Sequence, residues 1–146
     1  MSLFSKLFKP STAKTFETES GSFKLIYSKG NRNTWSNKSA DILITLGGSA
    51  LEPDPAQLSF SSTITQTVAK MNDQLTLYLS NQFDEAGLEH DFSEWQQRFK
   101  MVALNVTGKT GEKTYWNITL EDLRAPYAHF VVFAEEQTII DFSMDT

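Results

Sequence analysis

A switch in hydrophobic period partway along the chain constrains its fold more than any other feature. From Ser59 onward Phe60, Ile64, Val68, Met71, Leu75, Leu79 and Phe83 recur at steps of three and four, which puts them on one face of a helix. Thr67 and Tyr78 widen that stripe, whereas Gln66, Asn72, Asp73, Gln74 and Ser80 fall off it. The spacing predicts one amphipathic helix of about six turns, stopped at Gly87, a residue suited to a helix C-terminus. A stripe of this length must cover something flat and apolar, most simply a sheet.

On both sides of the stripe the period is two. Residues 22–28 alternate Phe23, Leu25 and Tyr27 with Lys24 and Ser28, between Gly21 and a turn at 29–31, the pattern of a half-buried strand. Another strand passes through Thr34 and Trp35, and 41–46 reads as a strand rich in β-branched residues, stopped by Gly47 and Gly48. Beyond the stripe, five acids lie within 84–94, and Phe92, Trp95 and Phe99 follow at helical spacing, predicting a short second helix over 91–98. Strands over 100–107 and 114–120 are joined by a Gly108 to Gly111 hairpin turn, and strands over 127–134 and 138–144 pair across 135–137. The expectation is an α+β fold: an antiparallel sheet of five to six strands with the long helix on one face and a short second helix. A single domain spans 16–146, preceded by a flexible N-terminal segment and linker over 1–15 in which Pro10 interrupts a polar run. A chain of 146 residues supports one core, burying roughly 68–70% of the surface that its unfolded form exposes.

Composition removes several classes of function. With no cysteine there is no disulfide, no thiolate nucleophile and no cysteine-ligated zinc. Lys6 and Lys9 interrupt the apolar residues of the first ten, so no signal-peptide core forms there, and no run reaches the roughly 18 apolar residues of a membrane span. Leu3, Phe4, Leu7 and Phe8 could make an amphipathic turn or two on a membrane surface, but such short turns bury little apolar area, and docking on the protein or disorder is the preferred reading. Charge is divided: residues 1–40 carry +5 and the remaining 106 carry −10, giving the net −5. An acidic body argues against a nucleic-acid groove, which needs clustered Lys and Arg, and suits a basic protein partner. The expected location is the cytoplasm.

Few residues offer chemistry. Gly47-Gly48-Ser49 follows a strand as a phosphate loop would, but it lacks the lysine and leads into Glu52 and Asp54, so a plain loop is expected. His90, Asp91 and Glu94 are the one cluster of possible metal ligands. Acids at that place also suit the start of a helix, which is the preferred reading, and no cofactor is expected. His129 lies in an apolar strand with only Asp141 on the neighbouring strand as a possible orienting acid, and reads as structural rather than as a general base. Three glycosylation-type triplets begin at Asn37, Asn105 and Asn117 and are treated as chance matches.

The opening Met-Ser-Leu-Phe-Ser-Lys-Leu-Phe-Lys, Trp35 ahead of Ile42 and Ile44, the long helix ending near Phe83, the stretch from Phe92 to Phe99, and Trp116 and His129 in strands give an order of features that resembles small bacterial domains, in particular domain-of-unknown-function family 2262. The resemblance covers residues 30–146 and brings no catalytic residue with it. Small acidic α+β proteins of this type are similar to bacterial immunity proteins, which neutralise a toxin by binding it. The sequence thus points to a non-catalytic bacterial binding protein, with Glu85, Glu89, Asp91, Phe92, Glu94 and Trp95 as an acidic, aromatic-containing contact surface. The alternatives are a small-ligand or hydrolytic site on the open sheet face around Tyr115, Asn117, Tyr127 and His129, and a membrane-peripheral adaptor tethered by Leu3 to Phe8.

Overall fold

The computed structural model describes residues 14–19, 21–39, 41–110 and 113–145. Eight strands form one sheet whose order follows the chain: β1 (Thr15–Thr18), β2 (Gly21–Lys29), β3 (Arg32–Ser39), β4 (Ile42–Gly47), β5 (Phe99–Thr110), β6 (Lys113–Asp122), β7 (Ala125–Glu135) and β8 (Thr138–Asp145). All neighbours are antiparallel except β4 and β5, which run parallel with Leu43, Ile44 and Thr45 beside Ala103, Leu104 and Asn105. A parallel pair cannot close through a tight turn, so the helical region serves as the crossover between two four-stranded meanders. The α+β class is as expected, but the sheet has eight strands rather than five or six. No strand is expected over β1, whose one apolar residue, Phe16, leaves no alternation to read, whereas the strand through Thr34 and Trp35 is longer than its pattern shows because Asn33, Ser36, Asn37 and Lys38 surround Trp35.

The single long helix is instead three segments: α1 (Pro55–Ser62), α2 (Ile64–Lys70) and α3 (Asn72–Glu85). The first begins four residues before Ser59 because Asp54 caps it, accepting from the Ala56 and Gln57 amides at 2.9 and 3.0 Å with Pro55 in the first turn, an arrangement suited to helix starts. Its end has a chemical cause. Ser61, Ser62 and Thr63 each donate a hydroxyl to the carbonyl three residues back, and such bonds compete with the helical ladder. At Met71 the amide is shared between the Thr67 and Val68 carbonyls, a local tightening that bends the path again. The stripe itself has the expected phase: Ile64, Val68, Met71, Leu75, Leu79 and Phe83 are buried, and Gln74 is exposed. The short helix expected over 91–98 reduces to one 3-10 turn, Trp95–Gln97. Side chains hold the residues before it, since the Trp95 amide donates to Thr76 Oγ1 and the Ser93 amide to Gln97 Oε1.

All three helices cover the face carrying Phe23, Trp35, Ile44, Leu46, Leu104, Trp116, Ile118, Leu120, Phe130 and Val132. Because strand order follows chain order, the charge division of the sequence becomes a spatial one. Lys24, Lys29, Arg32 and Lys38 sit on β2 and β3, while Glu135 and Asp141 sit on β7 and β8 at the far side of the sheet.

Candidate functional site

α3 ends in a Schellman arrangement. Gly87 takes φ +71, its amide donates to the Asp84 carbonyl, and the Leu88 amide reaches the Phe83 carbonyl at 2.8 Å, which reverses the chain. The acidic segment then runs back along the helix. Phe92 and Trp95, expected as exposed anchors for a partner, are buried at 6% and 5% exposure. Phe92 packs edge-on against Phe83 and Phe99, with ring centres 6.0 and 5.5 Å away. The physical reason is core demand: two large aromatics beside an apolar stripe gain more by covering it than by facing water. Their burial leaves Glu85, Glu89, Asp91 and Glu94 facing solvent.

Several of these charges are engaged. His90 Nε2 lies 2.7 Å from Asp84 Oδ1, and Asp91 pairs with Arg124. The hydrogen bond from Arg124 holds the Asp91 carboxyl below the usual range. His90 and Asp91 thus turn to different partners, and among the described residues no group of three His, Asp or Glu side chains could hold a metal. Glu85, Glu89 and Glu94 form no side-chain ion pair among the described residues. One cluster escapes sequence reasoning altogether. Arg98 reaches the buried Asp122 through Nε and a terminal nitrogen at 3.0–3.3 Å, donates to the Glu89 carbonyl, and stands 4.9 Å over the Phe83 ring. Asp122 also accepts from the Arg124 amide. This buried pair ties the acidic segment to β6.

α3 is also fastened to the edge strand β8. Gln74 donates to the Gln137 carbonyl and accepts from the Ile139 amide at 2.8 Å, and Tyr78 meets Phe142 edge-on at 6.1 Å. Burial pushes the Tyr78 phenol above its ordinary value, and the carboxylates of Asp141 on β8 and Glu85 on α3 push it the same way. Ile140 and Met144 on the same strand are exposed.

The sheet face turned away from the helices carries the second set of candidates. Burial alternates along β7 and most of β6, with Trp116, Ile118 and Leu120 and then Ala128, Phe130 and Val132 facing the helices, while Asn117, between two of them, is also buried at 8% exposure. Tyr115, Asn117 and His129 fall on the opposite face, where His129 pairs in register with Glu121 and Asn117 with Phe133. Tyr127, beyond the regular pairing, is 79% exposed. The His129 side chain makes no hydrogen bond or ion pair among the described residues; its register neighbours are Glu121 on β6 and Asp145 on β8, whereas Asp141 pairs with Phe133. None of three surface cavities is lined by His129.

The Gly47-Gly48 loop is structural. A Cβ on Gly48 would stand 2.4 Å from the Glu52 carbonyl oxygen, and the Gly47 carbonyl accepts from the Asp54 amide, so this backbone organises the start of α1 rather than a phosphate. All three glycosylation-type triplets begin within strands, at β3, β5 and β6. No helix among the described residues is long and apolar enough to cross a membrane, and Leu3 to Phe8 lie outside the described residues. No protein-family model matches this chain, and neither the curated proteins nor the solved structures contain a match to it.

Proposed function

We propose that the chain is a non-catalytic bacterial binding protein, acting in the cytoplasm, that recognises a basic protein partner in the manner of the immunity proteins it resembles. The observation that carries this reading is the edge where α3 meets β8: Tyr78 packs on Phe142 there, and exposed Glu85 and Asp141 accompany exposed Ile140 and Met144. An open edge strand offers unpaired backbone groups to an incoming chain. Apolar side chains on that edge supply affinity, while carboxylates steer a basic partner and select it. Exposed Glu89 and Glu94 extend the same sign of charge, and Phe92 and Trp95 contribute by fixing the segment that carries them. The hydrolytic alternative at His129 is less favoured because no carboxylate is hydrogen-bonded to its side chain among the described residues, although Glu121 is its register neighbour, and the membrane alternative rests on residues outside those described.

The experiment is capture from the source cell's lysate with the wild type and with the double variant Glu85→Lys, Asp141→Lys, followed by association kinetics on the retained protein at several salt concentrations. The variant should associate at least about tenfold more slowly, with the wild-type rate falling as salt rises, because steering between exposed charges is screened over about 8 Å at physiological ionic strength. Circular dichroism should show both proteins folded. Equal association rates at low and high salt would remove this edge from the interface.

A further inference from the structure

The helix-facing side of the sheet holds one residue with no evident place in a core. Asn37 of β3 lies two residues from Trp35 and opposite Ile44 of β4, in a row that is otherwise apolar. It is 6% exposed, and its Nδ2 is buried without a hydrogen-bond partner among the described residues. A leucine there would cost the fold less, because a buried donor left unmet loses its hydration for nothing. Beside the amide is a cavity of about 320 Å³ lined by Phe23, Ile44, Pro55 and Leu58, with Ser61 at its wall, a size at the low end for ligand sites. Gly21 adjoins the same amide at φ +123, its missing Cβ standing 3.5 Å from both Asn37 Nδ2 and Oδ1, so no side chain covers the amide from that direction. Ser61 donates its proton to the Leu58 carbonyl at 2.8 Å, which leaves its oxygen able to accept.

We propose that this cavity binds a small uncharged molecule with an apolar body and an amide group, whose carbonyl accepts from Asn37 Nδ2 and whose N–H donates to Ser61 Oγ. Neutrality follows from the lining: no cationic side chain among the described residues lines it, and Glu19, which does, disfavours an anion. A ligand cation would gain little from Glu19, which is exposed and screened by water. The site lies between α1 and β1–β4, away from the β8 edge, and stands whether or not that edge binds a partner.

The test titrates three molecules of nearly one shape, benzamide, benzoate and toluene, into the full chain while backbone amide signals are followed by two-dimensional NMR. Benzamide should shift the Phe23, Asn37 and Ser61 amides saturably and bind about tenfold more tightly than either of the others, the margin that a satisfied buried donor supplies. Asn37→Leu should lose the preference for benzamide over toluene. Ser59→Trp, which adds bulk at an exposed position of the lining, should abolish binding of all three with helix content unchanged, and so keeps the proposal testable if Asn37→Leu does not fold. Equal affinity for toluene and benzamide would overturn the proposal by making the cavity a plain apolar hollow. The absence of saturable shifts would leave it a water-filled one, and shifts that arise only after residues 1–13 are removed would make its occupant the chain's own N-terminus.

Discussion

The two meanders of the sheet bury their apolar faces to different degrees of completion. Over β5–β8, Phe83 of α3 meets Phe92, Phe99 and Phe130 with ring centres 5.5–6.0 Å apart, and the one buried acid, Asp122, is fully engaged by Arg98 and the Arg124 amide. Over β2–β4, Phe23, Trp35 and Leu46 are equally buried, yet α1 leaves a cavity above them and the buried amide of Asn37 goes without a partner. Burial alone does not distinguish these halves. What differs is the space beside an unmet donor: Trp95 Nε1, at the β5 side, is also buried without a partner among the described residues, but none of the three cavities is lined by it, whereas the Asn37 amide opens onto one.

The largest effect should come from the closed half. Phe83→Ala should cost about 3–5 kcal/mol by chemical denaturation, whereas Leu58→Ala, half-buried over the cavity, should cost about 1–2 kcal/mol because its site already meets solvent. Equal losses would mean the two halves are packed alike. Next come the paired polar sites. Asp122→Leu should cost about 3–5 kcal/mol because it strands the Arg98 charge, while Asn37→Leu should be neutral or stabilising by up to about 1 kcal/mol because it removes an unmet donor. A comparable loss in both variants, read from denaturation midpoints, would show that Asn37 is satisfied after all. The smallest effect concerns exposed Asp91. Its folded pKa lies below the ordinary 3.8, so its contribution is complete above that value and is lost as pH falls through the lowered one. Thermal melts across about pH 2 to 7 should show Asp91→Asn slightly less stable than wild type at neutral pH, with the two curves converging in acid. A gap that persists at the acid end would assign the effect to something other than titration.

Regular patterns were legible in the sequence because they report a face. The stripe from Phe60 to Phe83 had the observed phase, Gly87 ended the helix, and the alternations in β2 and β5–β8 matched real strands. The interruptions were not read, although Ser61-Ser62-Thr63 carried the signal: three adjacent hydroxyls able to bond back to the helix. Phe92 and Trp95 were misplaced because their helical spacing with Phe99 says that they share a side but not whether that side meets water or core. The charge partners of Asp91 and Asp122 come from Arg124 and Arg98, at separations in sequence that no local pattern links. Asn37 was within reach. Placed two residues after Trp35 in a strand, it must share a face with it, and an amide on a tryptophan's side of a sheet already asks what it bonds to.

Strand order has a consequence for how the chain folds. Seven strands neighbour their successors, and six of those seven junctions are antiparallel pairings between sequence neighbours, so each meander can assemble from local encounters with little loop to close. The exception joins Leu43 to Ala103, sixty positions along. Closing that span rather than a six-residue hairpin costs roughly 2 kcal/mol more in chain entropy, and topology of this kind sets folding speed. The entropic barrier is therefore concentrated in a single event, the docking of two half-sheets along Ile44 and Leu104, with the bent helical crossover holding the halves within reach of each other until they meet.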